Sequence, residues 1–176
     1  MAREVQTLLF TDLVGSTDRL RQLGDAGWSA LLDRHHSAVR AVLAAHEGRE
    51  VDTAGDGFLA CFDSPTAAVR AAARVVERVG ALDLEVRAGL HTGEVEVEGR
   101  GLRGVGVHLA ARVMAEAGPG EVLVSSTLRD LVAGSGMVFA DRGLHQLKGF
   151  AEPWRLFALD LHSARPATTG AAAGSE

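Results

Sequence analysis

Cysteine is nearly absent from the 176-residue sequence, and no long apolar run occurs in it. Because Cys61 is the single cysteine, a disulfide framework and a cysteine-based zinc site are excluded. No apolar run approaches the ~18 residues that a membrane span needs. The first residues, MAREVQT, have no apolar core of the kind found in signal peptides. We therefore expect a cytoplasmic protein with no membrane partner.

Positive charge is also in short supply, with 18 Lys and Arg against 23 Asp and Glu and a net charge of −5. A nucleic-acid-binding domain usually has a basic face, so we expect no nucleic-acid partner. A local site could still bind a small phosphorylated ligand. The P-loop pattern G-x-x-x-x-G-K-[ST] and the nucleophile elbow G-x-S-x-G are both missing. The seven histidines are scattered, which disfavours a zinc site.

Apolar periodicity and turn residues divide the chain into strands and helices. We predict, in chain order, a strand over 5–10, a short helix from Ser16, a helix over 26–46, a hairpin over 49–62, a helix over 63–79, two strands over 84–99, a glycine-rich loop and helix over 101–117, then a strand, a short helix and late strands. Helices mixed with hairpins predict an α+β fold, a ferredoxin-like core with a mostly antiparallel sheet and flanking helices. One domain spans 1–161, and the Ala-, Gly-, Ser- and Thr-rich residues 162–176 are predicted to be a disordered tail.

Two aspartates occupy positions that favour a metal site. Asp12 follows the first predicted strand, and Asp56 lies in the turn of the first hairpin. If that hairpin pairs with the first strand, the two carboxylates approach each other and a cation would relieve their repulsion. Oxygen ligands of this kind suit Mg²⁺ or Mn²⁺. Alternatively, Asp56 is an ordinary Asp-Gly turn residue and Asp12 is a helix cap.

Three further groups could bind phosphate. Gly15, Ser16 and Thr17 precede and open a helix, where backbone N–H groups can bind an anion; a plain capped turn is the alternative. His108 and Arg112 are separated by four residues and share one helix face, with Val107, Ala110, Ala111 and Met114 left for packing. A His and an Arg on one face suit an oxyanion, although a solvated face is the more common meaning. Lys148 is a further cationic candidate with the same ambiguity.

Taken together, these segments resemble the class III nucleotide cyclase catalytic domain, the adenylyl and guanylyl cyclase family, in a divergent bacterial-type form. The resemblance covers about residues 5–160. It is carried by five stretches in the family's order and spacing: LLFTDLVGST, AGDGFLACF, VRAGLHTGEV, GVHLAARV and LHQLKGFAEPWRLFAL.

The resemblance implies a role for each candidate residue. Asp12 and Asp56, with the carbonyl of Leu13, would bind two Mg²⁺ or Mn²⁺ ions on the triphosphate of a nucleoside triphosphate. Arg112 would neutralise charge on the α-phosphate. In this family that arginine comes from the partner subunit, so we expect a homodimer with shared active sites.

The sequence departs from the family pattern at the positions that recognise the base. Asp52 stands where adenylyl cyclases usually have lysine, and Gly101 where they have aspartate or threonine. His108 replaces the transition-state asparagine but can still donate a hydrogen bond. A lysine can donate to adenine N1, whereas Asp52 can only accept unless it is protonated. Base choice is therefore open at this stage, and family frequency alone favours ATP.

Three functions are compatible with these observations. The first is a cyclase that converts a nucleoside triphosphate to a 3′,5′-cyclic nucleotide and pyrophosphate. The second is a catalytically weak or silent cyclase-like module that binds nucleotide or a partner chain. The third is a ferredoxin-like structural domain whose acids are turn residues.

Overall fold

The computed structural model describes residues 2–166, which form one eight-stranded sheet with helices on both faces. The strands are β1 (Ala2–Val14), β2 (Arg49–Ala54), β3 (Gly57–Phe62), β4 (Glu85–Glu98), β5 (Gly101–Arg103), β6 (Val122–Ser125), β7 (Phe139–His145) and β8 (Trp154–Leu159). The helices are α1 (Ser16–Ala45), α2 (Pro65–Gly80), α3 (Val105–Ala115), α4 (Ser126–Leu131) and a terminal 3-10 helix, Leu161–Ala164.

The sheet has the order β2-β3-β1-β4-β6-β8-β7, and the short β5 pairs with the end of β4. Only the β4–β6 pair is parallel, and α3 lies in the crossover between these two strands. All other strand pairs are antiparallel. The predicted α+β fold with a mostly antiparallel sheet is therefore confirmed.

Alternating side chains of the central strands supply two separate cores. In β1, Leu9 and Leu13 pack on the face that carries α1, α2 and α4. Leu8, the neighbour of Leu9, packs on the opposite face against Ala110 of α3. This is the period-two alternation expected of a strand covered on both sides. The consequence for function is that α3 and α1 approach the ends of β1 and β4 from opposite faces.

Local sequence signals set the helix boundaries. The hydroxyl of Ser64 accepts a hydrogen bond from the Ala67 amide, and Pro65 occupies the first position of α2, as the sequence predicts. The predicted short helix from Ser16 and the longer one over 26–46 are joined in α1. Gly24, with φ 70° and ψ 174°, interrupts α1 between them.

Two predicted strand boundaries were wrong. β1 continues to Val14, so Asp12 lies within the strand and not after it. Residues 85–98 form one strand instead of two, because His91, Thr92 and Gly93 pair with β1 without a break. The buried hydroxyls of Thr7 and Thr92, 2.7 Å apart, stabilise this pairing at the point where a turn was expected.

The predicted tail begins too early. Leu161–Ala164 form a 3-10 helix in which the Asp160 carboxylate accepts from the His162 amide, and Ala164 is buried. The remainder of the predicted tail, 167–176, lies outside the described residues. Within 2–166, no helix has both the length and the apolar character that a membrane crossing requires.

Candidate active site

Strand pairing brings Asp12 and Asp56 together. β1 and β3 are antiparallel with Thr11 opposite Phe58, so the turn that begins β3 lies beside Asp12. A Cβ atom added to Gly57 would be 3.2 Å from the Thr11 carbonyl oxygen and 4.0 Å from Asp12 Oδ1, which shows how closely the turn approaches the strand. The structure therefore brings this predicted pair together, and the hairpin turn is the reason.

The Asp56 carboxylate lies in an environment that disfavours its charge. Burial is the main cause, followed by the effect of the neighbouring Asp12 carboxyl group; together they raise the pKa of Asp56 to about 6. The Ser16 side chain, which lines the same groove as Asp56, opposes this shift. A pair of carboxylates held together in this way is a site that a divalent cation would stabilise.

Arg87 was missed by the sequence reasoning, although it is part of this site. It lies opposite Asp12 in the β1–β4 pairing, and its Nη2 is 3.1 Å from Asp12 Oδ2. Its Nη1 also donates to the carbonyl of Ala115, the last residue of α3, at 3.4 Å. Arg87 therefore offsets one of the two negative charges and ties α3 to the acidic site. The quoted stretch VRAGLHTGEV contains it, but only the strand register indicates its partner.

Two neighbouring histidines of α1 hold the turn that carries Asp56. His35 Nε2 is 3.2 Å from the Asp56 carbonyl oxygen, and His36 Nε2 is 2.8 Å from that of Gly55, so both rings donate to the turn. His35 is fully buried, and burial lowers its pKa, which favours the neutral ring. Phe58 lies edge-on to both rings. The sequence reasoning saw only two histidines that cannot share a helix face.

Gly15, Ser16 and Thr17 lie at the start of α1, next to Asp56. Gly15 is the N-cap, and Ser16 and Thr17 begin the helix, as predicted. Ser16, Thr17 and Asp56 line a small groove of about 230 Å³, with Trp28 and Leu32 on its apolar side. Typical small-molecule pockets are about 300–1,000 Å³, so this groove alone is too small to enclose a nucleoside triphosphate.

His108 and Arg112 lie on α3, away from the hydrogen bonds that connect the acids. His108 is exposed and Arg112 is half-buried. Within 2–166, Arg112 forms no ion pair with Asp12 or Asp56. The packing face of α3 differs from the expected one, because the buried residues are Gly106, Leu109, Ala110 and Val113.

Lys148 and Leu13 are placed differently from the acids. Lys148 is exposed in the β7–β8 connection, and β4 and β6 separate those strands from β1. One chain therefore does not bring Lys148 to the acidic pair. Leu13 is 5% exposed, with its side chain in the core, so only its backbone carbonyl could act as a ligand.

Asp52 and Gly101 lie on two neighbouring short strands. Asp52 is exposed in β2, just after a bulge between Glu50 and Asp52, and Gly101 is exposed at the start of β5. Arg49 Nη1 donates to the carbonyl of Arg100 at 3.1 Å, which connects the start of β2 to the turn before β5. The same chain therefore brings these two segments together.

Comparison with known proteins identifies the family. A family model described as the adenylate and guanylate cyclase catalytic domain matches residues 2–160. The chain belongs to this cyclase family. The adenylyl cyclase CyaB of P. aeruginosa shares the cyclase fold, with a TM-score of 0.83, 22% identity, and 90% of this chain and 94% of that chain covered.

Two curated relatives of the cyclase chain are longer than it is. The uncharacterized protein Rv2212 of Mycobacterium tuberculosis (strain ATCC 25618 / H37Rv) is 37% identical over 172 residues, covering 95% of this chain and 44% of the relative. The uncharacterized protein R02095 of Rhizobium meliloti (strain 1021) is 34% identical over 178 residues, covering 87% of this chain and 17% of the relative. The chain therefore spans less than half the length of these relatives.

The acidic pair of this cyclase domain fits a divalent metal ion that is shared with substrate. Among residues 2–166, no group of three or more His, Cys, Asp and Glu side chains surrounds a common point, so the protein does not supply a complete cage. Mg²⁺ is commonly bound through one or two carboxylates, with water and substrate phosphates as the remaining ligands. Asp12 and Asp56 match that donor set.

Proposed function

We propose that this cyclase domain converts a nucleoside triphosphate, with ATP the first expected substrate, to a 3′,5′-cyclic nucleotide and pyrophosphate. The observation that carries the proposal is the approach of Asp12 in β1 to the turn that carries Asp56, beside Ser16 at the start of α1. Cyclisation requires the 3′-hydroxyl oxygen to bond to the α-phosphorus while the bond from that phosphorus to the bridging oxygen breaks. The hydroxyl loses its proton, and pyrophosphate leaves.

Asp12 and Asp56, with the Leu13 carbonyl, would hold one or two Mg²⁺ or Mn²⁺ ions. When bound, such ions act as Lewis acids that activate the hydroxyl and neutralise the triphosphate. The protein's part is to hold both carboxylates in place. Arg87 limits the repulsion at Asp12, and His35 fixes the backbone of Asp56.

The start of α1 would bind part of the triphosphate. The N–H groups of Ser16 and Thr17 are among those that a helix leaves unpaired at its N-terminus, and the helix dipole favours an anion there. The adjoining groove places this anion site beside Asp56. Positioning of this kind accounts for much of the catalysis of phosphoryl transfer.

Arg112, His108 and Lys148 would reach the substrate from a second copy of the chain. Arg112 would stabilise charge on the α-phosphate, His108 would donate a hydrogen bond, and Lys148 would bind the outer phosphates. Two observations support a shared site: the groove at the acids is too small for the substrate, and Lys148 lies several strands away from them. Val105, at the start of α3, is 69% exposed and offers an apolar contact for a partner.

Asp52 and Gly101 would face the base. Their segments are joined through Arg49 and Arg100, so both residues would serve one binding site. An Asp carboxylate accepts hydrogen bonds from the donor edge of guanine, whereas it meets adenine N1 only when protonated. The assay must therefore include GTP as well as ATP.

The proposal is tested by incubating the protein with each of the four nucleoside triphosphates, with Mg²⁺ or Mn²⁺, and measuring cyclic nucleotide. Product is expected from wild type and is expected to fall by at least about 100-fold in Asp12→Asn and Asp56→Asn. Asp25→Asn, on the exposed surface of α1, is the matched control and keeps wild-type activity. If none of the four triphosphates yields a cyclic product, the proposed cyclase activity is wrong.

A second candidate function is a silent domain that binds nucleotide for regulation. The exposed Asp52 and Gly101, together with His108 in place of asparagine, favour it over the structural-domain alternative. Nucleotide binding measured by calorimetry, together with absence of product under every condition above, is the result that this function predicts.

A further inference from the structure

A large cavity lies on the face of the sheet that carries α1 and α2, and the proposed active site does not use it. Its volume is about 710 Å³, and its walls come from α2, the terminal 3-10 helix and the end of α1. None of its lining residues belongs to the groove beside Asp56. Its volume is in the range of pockets that bind small molecules.

The lining of this cavity has an excess of positive charge. Arg70, Arg74 and Arg165 line it, whereas Glu77 is the one carboxylate among the lining residues. Arg74 Nη1 is 2.8 Å from Glu77 Oε1, so that carboxylate is already paired. Among the lining residues that the structure describes, two guanidinium groups therefore remain without a matching acid, in a protein whose net charge is negative.

Arg70 is the member of this set whose hydrogen bonding is incomplete. Its Nε is buried and has no hydrogen-bond partner within 2–166. Buried polar atoms are normally paired, because leaving a donor without an acceptor costs free energy. Arg70 and Arg74 are separated by one helical turn and line the same cavity, so one bound anion could contact both. A guanidinium group is suited to bidentate contact with a carboxylate or a phosphate.

The rest of the cavity wall is apolar. Ala73 and Val76 of α2 face Leu161 and Ala164 of the 3-10 helix across it. A fully hydrated inorganic ion would gain nothing from these side chains. A molecule with a hydrocarbon body would bury its apolar surface against them while its charged group met the arginines.

We propose that this cavity binds a small organic anion, in which an apolar body carries a single carboxylate or phosphate group. The arginines recognise the charged group, and the alanine, valine and leucine side chains recognise the body. The site shares no residue with the acidic pair or with the groove beside Asp56.

Isothermal titration of the full chain at fixed ionic strength tests the proposal with three probes of equal chain length: octanoate, octyl phosphate and octanol. At least one of the two anions is expected to bind at least about tenfold more tightly than the neutral alcohol. The tighter of the two anions identifies whether a carboxylate or a phosphate is the natural head group.

Arg70→Met and Arg165→Met are expected to weaken binding of that anion about tenfold each. Arg165 is exposed, so its variant tests the site without disturbing the core. Arg78→Met is the matched control, because Arg78 lies on the same helix as Arg70, is exposed and does not line the cavity. This variant is expected to bind the anion with wild-type affinity. No binding of either anion, equal binding of octanol, or an equal loss in Arg78→Met would overturn the proposal.

Discussion

At the scale of single residues, the placement of Asp56 in a partly buried turn beside Asp12 lowers stability. Its pKa is raised from 3.8 to about 6, so the folded state holds more protons than the unfolded state between those values. Stability therefore falls as pH rises through this window, and the penalty is fully present above pH ~6. Carboxyl groups whose pKa is raised by their surroundings, at a cost in folding stability, are typical of enzyme active sites.

We expect Asp56→Asn to raise the unfolding free energy of the metal-free protein by about 1 kcal/mol at pH ~8, since a partly exposed carboxylate is screened by solvent. Urea denaturation in the presence of a chelator measures this, and the gain should shrink as the pH is lowered through the same window. Asp25→Asn should show neither effect. A variant less stable than wild type at pH ~8 would mean that the carboxylate is not under repulsion.

For His35, a role in holding the Asp56 turn by a hydrogen bond can be distinguished from a role in filling space in the core. Its Nε2–H donates to the carbonyl of Asp56, which fixes the turn that carries this proposed metal ligand. We expect His35→Leu to weaken Mn²⁺ binding about tenfold, because the turn loses this hydrogen bond. His35→Gln, which retains a donor, should restore most of the affinity. Electron paramagnetic resonance titration of Mn²⁺ measures both, and equal affinities in the two variants would contradict the positioning role.

At the scale of elements, the contact between β4 and α3 sets the position of His108 and Arg112. A Cβ on Gly89 of β4 would lie 2.1 Å from the Met114 amide nitrogen and 2.4 Å from its Cα, so the helix packs directly on this glycine. Backbone atoms cannot move aside as a flexible side chain can. The position of α3 over the sheet therefore depends on the absence of a side chain at Gly89.

Gly89→Ala is expected to lower the unfolding free energy by about 2 kcal/mol or more, since it forces α3 away from the sheet. It should also reduce cyclase activity by moving Arg112. Gly80→Ala, at the end of α2 with open space around it, is the control and should change stability by less than ~0.5 kcal/mol. Thermal denaturation distinguishes the two, and similar melting temperatures would show that α3 can shift at no cost.

Elements whose boundaries are set by a few neighbouring residues could be predicted from the sequence. Elements whose boundaries are set by pairing with a distant strand could not. The Asp-Gly turn at Asp56 and the Ser64–Pro65 helix start are encoded in a few neighbouring residues, and the structure has both. The break expected in β4 is absent because the strand is held by β1 along its length, which periodicity cannot show. For the same reason Asp12 could be placed near Asp56, but its partner Arg87 could not be found.

At the scale of the whole molecule, the sheet separates the candidate residues into two groups. The acids and the start of α1 lie at one end of β1, while Lys148 lies beyond β6 in the β7–β8 connection. The sequence could name both groups from the family resemblance, but it could not tell which of them one chain brings together. We propose that a second copy of the chain completes the site, in a symmetric dimer with two equivalent sites.

The proposal that two chains share each active site is tested most directly by the cyclase activity of a mixture of Asp56→Ala and Arg112→Ala chains. Each variant alone is expected to be inactive, because every site lacks either a metal ligand or the arginine. An equal mixture should recover about a quarter of wild-type activity, since half of the dimers are mixed and each mixed dimer has one intact site. A mixture that stays inactive while heterodimers form, or a single variant that retains full activity, would contradict a site built from two chains.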